Sequence, residues 1–360
     1  MNWIFAATFS LAISGDLLPP QPDEVLRLPD SVISELDSRV IDRSRLSDKR
    51  LDLLVEYMFA DDGLDFSYIV GPTRNPAGTY AAGEGNCLSF TLLFLALADQ
   101  VGINAAPREV RVPLNWRRDG SALFESGHVN VLVRTEARRA VVDFEPDPDL
   151  SRRLSLKQRS NRISRERVLA HFYNNRAAEL LGEGKPGLAR LWSEHAVTLD
   201  PDFTAALNNR GVIEARLGEH DRALTFYRRA LAIDTDNRSA LFNMHELFRR
   251  TGQRQRADEA LDRLEALRSS DPYVHWALAR NLERLGEFKR AEKLYLRAIR
   301  MKDDDPLFHT GLAQVALALG DHERAERALS QAIALSRDQP NQEIRWNEQL
   351  LFLKARLPGV

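Results

Sequence analysis

Residues 208–230 read Asn208-Asn-Arg-Gly211-Val-Ile-Glu-Ala-Arg-Leu-Gly218-Glu-His-Asp-Arg-Ala223-Leu-Thr-Phe-Tyr-Arg-Arg-Ala230, and this spacing returns along the whole C-terminal half. Gly184, Gly218, Gly252, Gly286 and Gly320 stand 34 residues apart. Five positions after each comes Ala189, Ala223, Ala257, Ala291 or Ala325, and seven further on Ala196, Ala230, Leu264, Ala298 or Ala332. Seven before each Gly stand Ala177, Gly211, His245, Ala279 and Ala313. Apolar residues at helical spacing flank each Gly, so each unit reads as a helix, a turn and a second helix. The Gly falls where a helix wants a left-handed residue to end on. Small residues at fixed positions let helices approach closely. One such unit cannot bury its apolar face alone, so the units must stack.

The period and small-residue positions resemble the tetratricopeptide repeat, over about residues 168–337 and in five units. Asp200-Pro201 fits the closing proline of that repeat, whereas Thr235 follows Asp234, and Asp271-Pro272 and Asp305-Pro306 are displaced from that register. In residues 338–360, Ile344, Trp346, Leu350, Leu351 and Leu353 predict a capping helix. The resemblance implies an all-α solenoid with a groove for a protein or peptide partner. Asn175, Asn209 and Asn243 share one repeat position, with Asn174 and Asn208 just before. They are candidates to bind an extended peptide; the alternative is that they bond the neighbouring repeat's backbone.

The chain has 360 residues, more than the roughly 250–300 that one core usually serves, so a second domain is expected. A hydrophobic content of 44% and a net charge of −2 exclude wholesale disorder and give no basis for nucleic-acid binding. One Cys excludes an internal disulfide. Residues 1–15 are uncharged and apolar, too short to span a membrane but long enough for a signal peptide. Export to the periplasm or medium follows if that segment is a signal peptide, a cytoplasmic location if it is not. Residues 151–167 carry seven basic side chains and one acid, and read as a solvated basic linker.

The chemistry lies in residues 16–150. Gly83-Glu-Gly85-Asn-Cys87 precedes a run over 88–98 that is apolar nearly all round, which predicts a buried helix opening at the Cys. Unpaired N–H groups and the helix dipole at such a position favour a thiolate. His128-Val-Asn-Val-Leu-Val-Arg134 alternates as a strand, and Arg139-Ala-Val-Val-Asp143 reads as its hairpin partner. Such a hairpin brings His128 and Asp143 to one face. Asp30 or Ser31 is expected to cap a first helix, and Trp116-Arg-Arg-Asp-Gly120 to form a loop. The histidines of the repeats lack metal-ligand spacing and no phosphate-binding Gly-rich loop is present, so neither a metal nor a cofactor is expected.

Cys at a helix start, His on a strand and Asp on the next strand resemble the transglutaminase-like cysteine superfamily, over about residues 51–148. The matching segments are Gly85-Asn-Cys87, Gly102-Ile-Asn-Ala105, His128-Val-Asn-Val131 and Val142-Asp143. Leu88 and Val129 depart from the aromatic residues common at those positions, and Asp147, before Pro148, competes with Asp143. The resemblance implies an α+β fold in which Cys87 is nucleophile, His128 general base then acid, and Asp143 the residue that orients the imidazole. Two functions follow: a thiol-dependent acyl hydrolase or transferase whose repeats recruit a protein, or an inactive domain of that fold on a repeat scaffold.

Overall fold

A computed structural model of the chain describes residues 18–69, 71–110, 116–119, 122–125, 128–143, 160–267 and 272–336. The expected signal segment, capping helix and Asp147 lie outside them. Helix α1 (Pro22–Val25) is followed by α2 (Asp30–Leu36), which runs on through a π-helical turn (Asp37–Ile41), and by α3 (Ser47–Phe59). The cap expected from Asp30 or Ser31 is not formed. Pro29 precedes the helix, and Asp30 instead lies in its first turn, where a carboxylate meets the positive end of the dipole.

Strand β1 (Ser67–Tyr68) pairs in parallel with β2 (Glu84–Gly85), and α4 (Pro76–Ala82) lies between them in sequence, closed by Gly83 at φ 63°. Helix α5 (Cys87–Gln100) is the central helix of this half. Leu92, Leu93, Phe94 and Leu97 are fully buried, which is why the segment carries no polar stripe. Phe90 meets both Phe66 and Phe94. Val131 and Val133 of the sheet join this core.

The sheet has the order β7 (Arg139–Val142), β6 (His128–Arg134), β3 (Asn104–Val110), β8 (Ser160–Arg162), all neighbours antiparallel. Residues 151–159 of the expected linker lie outside the described residues, and residues 160–162 of it form strand β8. Ser160–Arg162 pairs with Val110–Arg108, and Ser164 caps the next helix by accepting from the Arg167 N–H. A three-residue edge strand is too short to show periodicity, and cations are at home on a sheet edge. A second correction concerns Trp116–Asp119, which is strand β4 and pairs with β5 (Ala122–Glu125) as a hairpin.

From Arg165 onward the described residues are helical: α6 (Arg165–Gly182), α7 (Pro186–Leu199), α8 (Thr204–Arg216), α9 (His220–Ile233), α10 (Arg238–Arg250), α11 (Arg254–Ala266), α12 (Pro272–Arg284), α13 (Phe288–Met301), α14 (Pro306–Ala318) and α15 (His322–Ser336). All five periodic glycines have φ between 75° and 84°, the left-handed turn their spacing predicts. A Cβ on Gly211 would lie 2.4 Å from Tyr227 Cε1, and one on Gly311 2.2 Å from Tyr295 Cε1, so a ring of the second helix occupies the missing side chain. Pro272 and Pro306 open their helices, where a missing N–H costs nothing, which explains their displacement from the position of Pro201.

Packing divides the chain into two units, Met1–Leu264 and Glu265–Val360. The division falls within the repeats rather than at residues 151–167. In the first unit α6 is built into the N-terminal half. The Tyr173 hydroxyl donates to the Pro20 carbonyl at 2.6 Å, and His171 packs on Phe203 with its Nε2 3.4 Å from Glu109.

Candidate active site

Cys87 is the first residue of α5 and is half-buried, so the thiol is held yet reachable. Asn86 caps the helix, its Oδ1 accepting from the Ser89 N–H at 2.9 Å. Gly85 is required just before: a Cβ there would lie 2.9 Å from Ser89 Cβ and 3.3 Å from the Phe66 ring. As the first helical residue, Cys87 has an N–H with no carbonyl partner within the helix, a donor available to a developing oxyanion.

The pairing of Val131 with Val142 aligns Asp143 with Asn130, and His128 follows two residues away on the same face of β6. His128 Nε2 lies 2.9 and 3.0 Å from the two oxygens of Asp143, and Asn130 Nδ2 donates to Oδ2 at 2.8 Å. The Cys87 thiol acts on the same ring and, with Asp143, favours its protonated form. Burial disfavours imidazolium, but the bonds to Asp143 and Cys87 and the charges of both outweigh it. They push His128 from 6.5 up to about 10.

Arg108 lies opposite Asn130 on β3 and is 5% exposed. Burial pushes its guanidinium down, and the charge of Asp143 acts the other way, so a cation stands behind the carboxylate that holds the histidine. Among the described residues, Nε and Nη2 of Arg108 and Oδ1 of Asn130 have no hydrogen-bond partner. Sequence reasoning missed the roles of Asn86, Asn130 and Arg108. Asn130 had a signal, since it lies two residues from His128 on an alternating strand and so shares its face.

The asparagines expected in a peptide groove do other work. Asn209 donates to Asn174 Oδ1 and Asn243 to Asn208 Oδ1, both at 2.9 Å, and Asn208 donates to Asn209 at 3.1 Å. Asn209 is fully buried and Asn243 nearly so, and both bridge the first helices of successive repeats. Asn175, by contrast, is half-exposed. The amide is needed there because a buried polar group must find a partner, and the next repeat supplies one. Among the described residues no group of three or more His, Cys, Asp or Glu could hold a metal, and no helix is long and apolar enough to cross a membrane.

Tetratricopeptide-repeat family models match residues 204–237, 246–306 and 277–340. The C-terminal part of the chain is therefore a tetratricopeptide-repeat array, a protein-binding architecture. A comparison with curated proteins gives no match. Among solved structures the chain is similar to residues 41–end of MamA from Desulfovibrio magneticus RS-1, at 19% identity and TM-score 0.34, covering 47% of this chain and 96% of that one. It is also similar to TTC0263, a thermophilic TPR protein of Thermus thermophilus, at 19% identity and TM-score 0.35, covering 51% and 99%. The C-terminal part of a TPR repeat-containing protein from Cytophaga hutchinsonii matches at 18% identity and TM-score 0.39, covering 51% and 72%.

Proposed function

We propose that the N-terminal half is a transglutaminase-like acyl hydrolase or transferase with Cys87 as nucleophile, delivered to a protein substrate by the repeat array. The observation that carries this reading is the His128 imidazole held by both oxygens of Asp143, with the lone thiol, first residue of α5, acting on the same ring. Cys87 thiolate attacks an amide carbonyl carbon, and the oxygen takes the charge near the N-terminus of α5. The His128 imidazolium gives its proton to the leaving amine as the C–N bond breaks, leaving a thioester on Cys87. Water or a second amine then attacks; neutral His128 takes its proton, and the thiolate leaves to restore the ion pair. Asp143 and Asn130 hold the ring in place throughout. The test is incubation of the full chain with an activated acyl ester and peptide mapping by mass spectrometry. A thioester on Cys87 that forms in the wild type, is absent from Cys87→Ser and is discharged by added amine supports the reading.

A second reading is a scaffold in which only the array acts. It is favoured by the family matches, which all fall in the repeats. No acyl adduct on Cys87 with any activated ester, together with retained partner capture by the array, would establish it.

A further inference from the structure

Asn86, the residue that caps the nucleophile helix, is itself held by a relay that begins on the first repeat helix. Glu179 of α6 accepts from both the N–H and the hydroxyl of Thr73, at 2.9 and 2.8 Å, and its other oxygen is taken by Arg176. Thr73 Oγ1 in turn accepts from Asn86 Nδ2 at 3.0 Å, and the Gly71 carbonyl accepts from the same nitrogen at 3.1 Å. Asn86 Oδ1 then accepts from the Ser89 N–H and hydroxyl, and the Arg74 N–H donates to that hydroxyl at 2.9 Å. Thr73 is 2% exposed, so the relay is closed to water at its centre.

Glu179 sets the direction of the Thr73 bonds, and the Gly71 carbonyl, which only accepts, fixes the Asn86 amide in the same sense. A carboxylate only accepts, so the Thr73 O–H must point to it. The Thr73 oxygen is then an acceptor, so the Asn86 amide must present its NH2 there and its oxygen to the helix N-terminus. Reversal of Asn86 would place a donor against the Ser89 N–H and cancel the cap one residue from Cys87. We infer that Glu179 is a positioning residue for Cys87, acting through Thr73 and Asn86, so that the first repeat is part of the nucleophile's support as well as of the binding array. This rests on the proposed role of Cys87. It makes the nucleophile dependent on how α6 is seated, since Glu179 reaches a residue 106 positions earlier in the chain.

The test compares wild type, Glu179→Ala, Glu179→Gln and Thr73→Val in the full chain. It reads the iodoacetamide alkylation rate of Cys87 at about pH 7 and about pH 10.5, with thermal unfolding alongside. Thr73→Val keeps the N–H contact that docks α6 but removes the hydroxyl relay, so it stands in if Glu179→Ala fails to fold. The expected result is alkylation about tenfold slower at about pH 7 in Glu179→Ala and Thr73→Val, with rates converging at high pH where every thiol is ionised. Glu179→Gln keeps an accepting oxygen for Thr73 and stays near wild type. Activated wild type with unchanged Thr73→Val, or slowing that persists at high pH, overturns the inference and leaves the nucleophile assignment standing. A wild-type thiol no faster than a free cysteine, and unaffected by His128→Ala, removes the proposed function and the inference with it.

Discussion

Asp143 meets His128 Nε2 with both carboxylate oxygens, at 2.9 and 3.0 Å, and His128 is only 8% exposed. A carboxylate so placed fixes the ring and favours imidazolium. Replacing Asp143 by Ala leaves the ring free to turn and removes the partner charge. Acyl transfer to Cys87 is expected to fall on the order of 10²–10⁴-fold, measured as the rate of thioester formation from an activated ester. A loss smaller than threefold would show that Asp143 does not orient the base.

The same contact predicts a pH dependence of stability. The folded value of His128 is raised from 6.5 to about 10, so folding binds its proton more tightly than the unfolded chain does. The stability it adds is fully present below about pH 6.5 and is lost as the pH rises through about 10. Urea unfolding of wild type and His128→Gln at a series of pH values checks this: the difference between them should shrink from neutral pH upward. A difference that grows over that range contradicts the sign.

In the repeats, Glu214 is fully buried and accepts from Arg210 Nε at 2.7 Å, with Arg190 Nε at 3.2 Å; Arg210 is itself 2% exposed. Glu214→Ala removes the buried counter-charge of Arg210 and leaves it only the exposed Glu194, 2.7 Å away, and a loss of about 3–5 kcal/mol is expected from denaturant unfolding. The double variant Arg210→Met/Glu214→Leu should recover much of it, because removing both charges also removes their desolvation cost. Equal losses in the single and double variants would refute that explanation.

Asn209→Ala strands the Asn174 carbonyl oxygen in a buried position. The expected cost is about 1–3 kcal/mol of stability with no change in affinity for a partner of the array, measured by unfolding and by titration with that partner. Weakened partner binding at unchanged stability would return this residue to the groove.

The repeats are legible in sequence because their geometry is dictated residue by residue. A left-handed turn selects Gly218, and the Tyr227 ring excludes a side chain at 211, so the period is written in small residues. The helix at Cys87 and the strand at His128 are legible from a nearly continuous apolar run and from valines at every second position. The Asn174–Asn209 bridge is not, because an amide at a solenoid position suits a ligand or a neighbour equally until the facing helix is known. Strand Ser160–Arg162 is hidden by its charge and brevity. The contact of Glu179 with Thr73 joins residues 106 apart, and no local pattern encodes it.

The central claim is that Cys87 is a nucleophile activated by His128, and the alkylation rate of Cys87 near neutral pH tests it most directly. The arrangement predicts that wild type reacts with iodoacetamide at least about tenfold faster than His128→Ala at about pH 6.5, with the rates converging once the pH ionises every thiol. Equal rates for the two proteins at about pH 6.5 would contradict it and leave the repeats as the working part of the chain.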